Sequence, residues 1–447
     1  MLSTQEAEQR CADLMAKARA MGADAGDAVY LGRSSQSVEM RLGNLESVDR
    51  SESEHLGLRV FVGRRSATVG SSALDSASLD ELAERAVVMA KGAPEDPYGG
   101  LAPKDMLMKG PPADLDLISP APEPEALRNT ALEVEDAARS VEGVTNSEGA
   151  SASFGRGVVA LATSHGFSGG YEQSHHSRSG AVVAGKGSGM ERGMAWRMAH
   201  HVDDMLSPAE IGRLAGSRAV ERLNPGKMKS GPMPVVFDRR AGRSLIGHLV
   251  HAISGSEIAR GASFLADDEG KRIFAPGITI TDDPLLKRGL RSHPFDGEGL
   301  PVAASRLVDD GVLTGWLLDS ASARKLGRRP TGHAARGGGG SPGVSASNVT
   351  LLPGGETVAD MIADIADGVW VTELIGQGFS VVTGDYSRGA SGFRIVNGEI
   401  AGPVAGITIA GNMRDMFANM RAADDLEMVQ AFNVPSLRID GMTVAGD

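Results

Sequence analysis

The stretch Ser207–Asp238, SPAEIGRLAGSRAVERLNPGKMKSGPMPVVFD, divides the sequence into two parts. It opens with a strong helix start, in which Ser207 is a suitable N-cap, Pro208 fits the first helical position and Glu210 completes a capping box. The polar, glycine- and proline-containing run 227–232 then predicts a linker. An apolar run follows at once and reads as a strand, so the linker marks a domain boundary.

Working outward from this boundary, we predict two domains, 1–226 and 231–447. In the first, capping boxes at Ser3–Glu6 and Ser78–Glu81 predict helices, and short alternating runs within 38–62 predict an antiparallel meander. The first domain is therefore expected to combine an antiparallel sheet with helices.

The second domain is predicted to be rich in β-structure. Asp310-Gly311 and Asn397-Gly398 each stand between apolar runs, as in tight hairpin turns. Glu356–Ala366 has the pattern of a short helix, whereas the glycine-rich run Ala335–Gly343 predicts a loop that is flexible or approaches a ligand. The fold class expected for the whole chain is α+β.

Composition limits the classes of function. The 447 residues carry a formal net charge of −12, which argues against binding to nucleic acid or to an anionic membrane surface. No apolar run approaches the roughly 20 residues of a membrane-spanning helix, and the first residues lack the pattern of a signal peptide. Cys11 is the one cysteine, so no intrachain disulfide can form. We expect a soluble, cytoplasmic protein with no nucleic-acid or membrane partner.

The sequence contains no complete zinc or nucleophile site. The nearest match to a zinc-binding His-Glu-x-x-His motif is His248-Leu-Val-His251, which lacks a glutamate after its first histidine. The Gly-x-Ser-x-Gly matches at 166–170 and 339–343 lack the strand-to-helix context of a nucleophile elbow. We therefore predict no catalytic residue and no metal ligand in this chain.

Glycine is abundant, with 59 residues, and it permits tight turns and close backbone approaches. The run 180–187 nearly matches a phosphate-binding loop, but Gly187 stands where a serine or threonine should bind magnesium, so we predict a hairpin turn there. Glycine-rich loops and strand edges suit main-chain contacts with an extended peptide.

Longer strings carry a family resemblance. They are GRSLIGH at 242–248, ISGSEIARGASFL at 253–265, GDYSRGASGF at 384–393 and ITIAGNM at 407–413. With them the chain resembles the TldD/PmbA, or modulator of DNA gyrase, protease family over nearly its whole length. The resemblance implies the two-domain fold of that family, with an N-terminal α/β domain and a β-rich C-terminal domain.

The same resemblance implies a function in a pair of subunits. TldD-type and TldE-type (PmbA) chains form a heterodimeric metalloprotease for short or unfolded peptides, linked to microcin maturation and antitoxin degradation. The TldD-type chain carries His-Glu-x-x-x-His and a C-terminal cysteine. Counting back from Arg260-Gly261 places its second histidine at His251 and its leading His-Glu at Ile246-Gly247, while Cys11 lies at the other end. The resemblance thus implies the TldE side, with no cofactor here and zinc in a TldD-like partner.

Residues near these strings are candidates for a peptide cleft or a subunit contact: His248, His251, Arg260, Asp385, Ser387 and Arg388. Plain salt bridges are the alternative for the two arginines. Two other functions stay open: a stand-alone homodimeric metallopeptidase with an unrecognised metal site, and a non-enzymatic peptide-binding or regulatory protein. An isolated chain is also compatible with a homodimer.

Overall fold

The computed structural model describes residues 1–337 and 340–446. The α-helices are α1 Thr4–Ala20, α2 Ser76–Gly92, α3 Pro124–Arg139, α4 Pro208–Val220, α5 Arg239–Ala252, α6 Gly255–Ala259, α7 Ser320–Lys325, α8 Val358–Ile362 and α9 Met413–Ala418. The strands are β1 Ala25–Arg41, β2 Asn44–Val62, β3 Arg65–Ser71, β4 Val144–Thr163, β5 Ser168–Ala184, β6 Glu191–Ala199, β7 Gly231–Phe237, β8 Ile280–Asp282, β9 Ser305–Asp309, β10 Val312–Leu313, β11 Ala334–Ala335, β12 Gly343–Val344, β13 Val349–Leu351, β14 Asp367–Ile375, β15 Asp385–Val396, β16 Glu399–Asn412, β17 Met420–Ala422, β18 Phe432–Asn433 and β19 Leu437–Ala445.

The first half of the chain forms a six-stranded antiparallel sheet in the order β3-β2-β1-β4-β5-β6. Helices α1 and α2 bury their apolar residues against β1, β2 and β4. Helices α3 and α4 cover the other end of the sheet, over β4, β5 and β6. Burial of these helix stripes on a sheet provides the hydrophobic core that a two-layer α+β unit requires.

The second half is built around the sheet β16-β15-β14-β7-β19-β17, in which β14 and β7 are parallel. Since β16 also pairs with β19, five of these strands form a closed ring. A smaller sheet, β10-β9-β8-β13-β18, lies beside it. One large core contains residues of both sheets and of α5. The structure confirms the α+β class, while the division at 226/231 stays a prediction.

Two of the predicted helix starts are confirmed. Both hydrogen bonds of the capping box are present at Ser3 and again at Ser207. The N-cap predicted at Ser78 was wrong by three residues, because Asp75 is the N-cap and accepts from the backbone N–H of Ser78. The helix predicted over 356–366 is shorter, since only Val358–Ile362 is helical. No helix in the described ranges is long and apolar enough to cross a bilayer.

The predicted turns are largely confirmed. Asp310-Gly311 and Asn397-Gly398 both have positive φ at their two residues, as a tight hairpin turn requires. Residues 180–184 are the end of β5, and 185–187 lie in the connection to β6 with no α-helix after them. Gly166 and Phe167 lie in the turn between β4 and β5, whereas 168–170 are the first residues of β5. The predicted loop 335–343 and the second Gly-x-Ser-x-Gly match include Gly338 and Gly339, which lie outside the described residues, as does Asp447.

A buried ion-pair network joins the first sheet to the second half of the chain. Arg59 on β2 donates to Asp27 on β1, with Nε 3.0 Å from Oδ2. Arg336 donates to the other oxygen of Asp27, and Glu298 lies 3.6 Å from Arg59. All four side chains are almost inaccessible to solvent. The network therefore holds the segment that contains Glu298 and Arg336 against β1 and β2.

Asp296 is a buried carboxylic acid close to this network. Its Oδ1 accepts hydrogen bonds from the backbone N–H groups of Glu298 and Leu300, each at 2.9 Å. Burial raises the pKa of Asp296 to about 7. Between about pH 4 and pH 7 the folded chain keeps a proton that the unfolded chain has released, so the free energy of unfolding falls as pH rises over this range and levels off above 7.

We expect Asp296→Asn to remove this loss. Relative to the parent, the free energy of unfolding of the variant should rise by up to about 3 kcal/mol between pH 5 and pH 8. Urea unfolding at both pH values measures the difference. Asp367→Asn is the control, because Asp367 is exposed and its pKa is lowered by Arg394. Equal pH dependence of the Asp296→Asn variant and the parent would contradict the prediction.

Candidate functional site

Helix α5 places the two candidate histidines one turn apart. It begins at Arg239 because the Asp238 side chain accepts hydrogen bonds from two backbone N–H groups of the first turn. Leu245, Ile246 and Leu249 enter the large core. His248 and His251 lie on the more exposed side of the same helix, with His251 about half exposed.

His248 is stacked on an aromatic ring. The centroid of the Phe379 ring is 4.3 Å away at an interplanar angle of 27°, and the Tyr386 ring is 6.0 Å away. Nε2 of His248 is buried and has no hydrogen-bond partner within the described part of the chain. Burial, with the nearby charge of Arg388, lowers the pKa of His248 to about 4. The imidazole is therefore neutral at pH 7.

The position of Phe379 depends on a close backbone contact. The backbone N–H of Ser387 donates to the carbonyl of Gly378 at 2.7 Å, and Phe379 forms a bridge with Tyr386. A Cβ at Gly378 would stand 1.5 Å from the Ser387 carbonyl oxygen, so glycine is required there. This contact packs the segment that contains Gly378 and Phe379 against β15. It thereby places the Phe379 ring over His248.

His251 belongs to a second, more polar group. Its Nε2 is 3.8 Å from the carboxylate of Glu257, which is nearly buried and also pairs with Arg260. The salt-bridge alternative for Arg260 therefore describes a contact that is present. Arg260 itself is more than half exposed, so its outer face remains accessible.

The three candidates on β15 lie on two different faces of the strand, because side chains alternate along it. Tyr386 and Arg388 face the His248 ring, and burial raises the pKa of the tyrosine. The hydroxyl of Tyr386 and Nε of Arg388 have no hydrogen-bond partner among residues 1–337 and 340–446. Asp385 and Ser387 are exposed on the other side, where Asp385 accepts from Thr383 and Asn412. The structure thus brings together four of the six candidates and leaves Asp385 and Ser387 outside the cluster.

Sequence reasoning missed Phe379, Tyr386 and Glu257. A signal for Tyr386 was present, because side chains two residues apart in a strand share a face. Since Arg388 was a candidate, Tyr386 should have been one too, because the two side chains share a face of β15. Asp385 and Ser387 lie on the opposite face. Phe379 carried no comparable signal, since its place depends on the non-local contact at Gly378.

The cluster does not provide a metal site. A catalytic zinc ion takes three protein ligands, and the described ranges contain no group of three or more His, Cys, Asp or Glu side chains able to hold a metal ion. Ile246, one of the counted-back motif positions, is fully buried in the core. Cys11 is buried on α1, where its Sγ lies 3.7 Å from the Ala160 carbonyl oxygen. These residues do not fit a zinc ion.

Comparison with protein families gives three consecutive matches. They are the PmbA/TldA metallopeptidase domain 1 at residues 26–90, the central domain at 118–223 and the C-terminal domain at 230–446. The protein called metalloprotease PmbA in Escherichia coli O157:H7 is 37% identical over 92% of this chain and 90% of its own length. The chain belongs to the PmbA/TldD family. The predicted family is thereby confirmed.

Other members extend the comparison. A Haemophilus influenzae metalloprotease PmbA homolog is 36% identical to this PmbA/TldD chain, over 100% of the chain and 98% of its own length. A crystal structure from Bacteroides thetaiotaomicron, described as a modulator of DNA gyrase, has the same fold, with a TM-score of 0.91, 24% identity and complete coverage of both chains. TldE from Thermococcus kodakarensis gives a TM-score of 0.85 at 20% identity, covering 97% of this chain and 99% of its own.

Proposed function

We propose that this chain is the TldE-type, non-catalytic subunit of a TldD/TldE metallopeptidase for short or unfolded peptides. The observation that carries the proposal is the chemistry of α5. The helix retains His251, but apolar Ile246 and Gly247 occupy the positions counted back for His-Glu. A zinc ion held by one imidazole would be too weakly fixed to activate water. The zinc site is therefore assigned to a TldD-like partner.

Family members of both types support the pairing. Besides the PmbA relatives, the chain is 26% identical over 58% of its length to a Haemophilus influenzae protein called a metalloprotease TldD homolog. The proposal places the complex in the cytoplasm, where a lone thiol such as Cys11 stays reduced. Short or unfolded peptides, as in microcin maturation or antitoxin degradation, are the proposed class of substrate.

We call the group of His248, His251, Arg260, Arg388, Phe379 and Tyr386 the His248 cluster. In this proposal the cluster contacts the peptide or the partner. Three polar atoms of the cluster have no hydrogen-bond partner in the described chain: Nε2 of neutral His248, the hydroxyl of Tyr386 and Nε of Arg388. Their aromatic surroundings exclude water, so a hydrogen bond formed there is stronger than one in solvent. His251 and Arg260, which are more exposed, lie at the edge of the same cluster.

The test combines this chain with a TldD-like protein from the same genome. Peptide cleavage should occur only in the mixture, should stop with a chelator and should return with zinc, because the proposed zinc ion lies in the partner. The matched control is a partner whose motif glutamate is replaced by glutamine, which should be inactive in the same mixture.

Two outcomes would contradict the proposal. Stoichiometric zinc and cleavage by the purified chain alone would favour a stand-alone metallopeptidase. Binding of peptides without any association with a TldD-like chain would favour a peptide-binding or regulatory protein.

A further inference from the structure

The start of helix α5 has an unusual charge pattern. Arg239, Arg240 and Arg243 lie within its first five residues, and its first turn contains no acidic side chain. The N-terminus of a helix carries a partial positive charge, so cations there are unfavourable by a few tenths to about 1 kcal/mol each. A sequence that breaks a local rule in this way is expected to do so for function.

Two further arginines meet this end of α5. Arg197 on β6 and Arg218 on α4 line the same cavity of about 570 Å³, together with Arg239, Arg240 and Arg243. The cavity lies between the α-helical cover of the first sheet and the loop that precedes β18. Its volume is within the range of pockets for small ligands.

The carboxylates in the cavity wall are already engaged. Asp238 pairs with Arg240 at 2.7 Å, and Glu427 pairs with Arg239. Arg197, Arg218 and Arg243 have no carboxylate within 4.0 Å in the part of the chain that the structure describes. Asp425, beside the cavity, also pairs with Arg239 at 3.8 Å. Three of the five arginines are thus left without an ion pair among the described residues, in a chain whose total charge is negative.

Burial makes this excess charge costly. Nε of Arg197 is buried without an acceptor among the described residues, and burial lowers the pKa of that guanidinium. Burial and the neighbouring charge of Arg240 lower the pKa of Arg218 to about 10. The pKa of Arg243 is lowered for the same reasons. A bound anion would offset the repulsion between the arginines and would supply the acceptor that Nε of Arg197 lacks.

We propose that this arginine cavity binds a phosphorylated small molecule through a diphosphate-type group. Planar guanidinium groups match the oxygens of phosphate in bidentate geometry. Three guanidinium groups without an ion pair suit the several oxygens of a diphosphate better than a single carboxylate. Apolar side chains, including Trp196, Leu214 and Phe432, line the rest of the cavity and suit an apolar or planar body attached to the phosphates.

The first test is calorimetric titration of the full chain with pyrophosphate at low salt. We expect binding that weakens with added salt, and Arg197→Gln and Arg243→Gln should each weaken it at least about tenfold, the effect of one lost charge-assisted contact. Arg213→Gln is the matched control, since Arg213 lies on α4 but is exposed and outside the cavity. Its affinity should equal that of the parent.

Thermal unfolding separates a binding role from a structural one. Without ligand, the Arg197→Gln and Arg243→Gln variants should unfold at or above the temperature of the parent, because each removes a repelled cation. Pyrophosphate should raise the unfolding temperature of the parent and of Arg213→Gln only. Destabilised variants, or no binding of pyrophosphate at millimolar concentration, would overturn the proposal.

Two further arms identify the source of the anion. Adenosine diphosphate should bind and should quench tryptophan fluorescence in the parent but less in Trp196→Phe, whereas adenosine should not bind. Loss of association with a TldD-like chain in the arginine variants, with pyrophosphate affinity unchanged, would assign the arginines to a protein interface and overturn the proposal. The test does not depend on peptidase activity and can fail independently of the proposed function.

Discussion

Replacement of Asp27 by alanine is expected to lower the free energy of unfolding by about 3–5 kcal/mol, the usual effect of removing one partner from a buried ion pair. Asp27 is fully buried and accepts from both Arg59 and Arg336. Without it, Arg59 keeps Glu298 at 3.6 Å, whereas the buried guanidinium of Arg336 loses its ion-pair partner. Since a typical domain is stable by only 5–15 kcal/mol, urea unfolding should show a large shift of the midpoint.

Asp367→Ala is the matched control. Asp367 also pairs with an arginine, since Arg394 donates to its two oxygens at 2.8 and 2.9 Å, but both side chains are over 40% exposed. Its loss should be within about 1 kcal/mol. The double variant Asp27→Ala/Arg336→Ala should be less destabilised than the sum of the single variants, because it removes one stranded charge. Equal effects of Asp27→Ala and Asp367→Ala would contradict the burial argument.

The sequence predicted those elements whose signals are local. The capping box at Ser207 and the turn at Asn397-Gly398 are complete within four residues, and both are found in the structure. The lengths of β1 and β2 were not predicted, because the run Asn44–Glu54 is largely exposed and shows no apolar alternation. Pairing of this run with β1 across the sheet extends the strands well beyond their apolar ends.

The candidate site was predictable only in part, for the same reason. His248 and His251 were recognisable from their spacing on one helix, which is a local property. The position of Phe379 and the burial of His248 depend on the contact between Gly378 and Ser387. No pattern in either of these two segments predicts that contact. The Asp27 network joins residues about 300 positions apart in sequence, at Asp27 and Arg336, and no pattern within either segment indicates the other.

Gly378→Ala is expected to raise the pKa of His248 from about 4 toward its ordinary value of 6.5. The added Cβ would overlap the Ser387 carbonyl oxygen at 1.5 Å, so the segment must move away from β15. Phe379 then leaves the histidine ring and water reaches the imidazole, which favours its charged form. Such overlap should also cost about 1–3 kcal/mol of stability. Titration of the histidine ring signals by nuclear magnetic resonance measures the pKa directly.

Two variants separate the cause from a general disturbance of the sheet. Phe379→Ala exposes His248 without the backbone clash, so it should raise the same pKa. Gly402→Ala places a methyl group in open space on β16 and should leave the His248 pKa unchanged. If the pKa stays near 4 in both Gly378→Ala and Phe379→Ala, then the aromatic contact is not what dehydrates His248. The neighbouring charge of Arg388 would then have to account for the shift, and Arg388→Gln would raise the pKa instead.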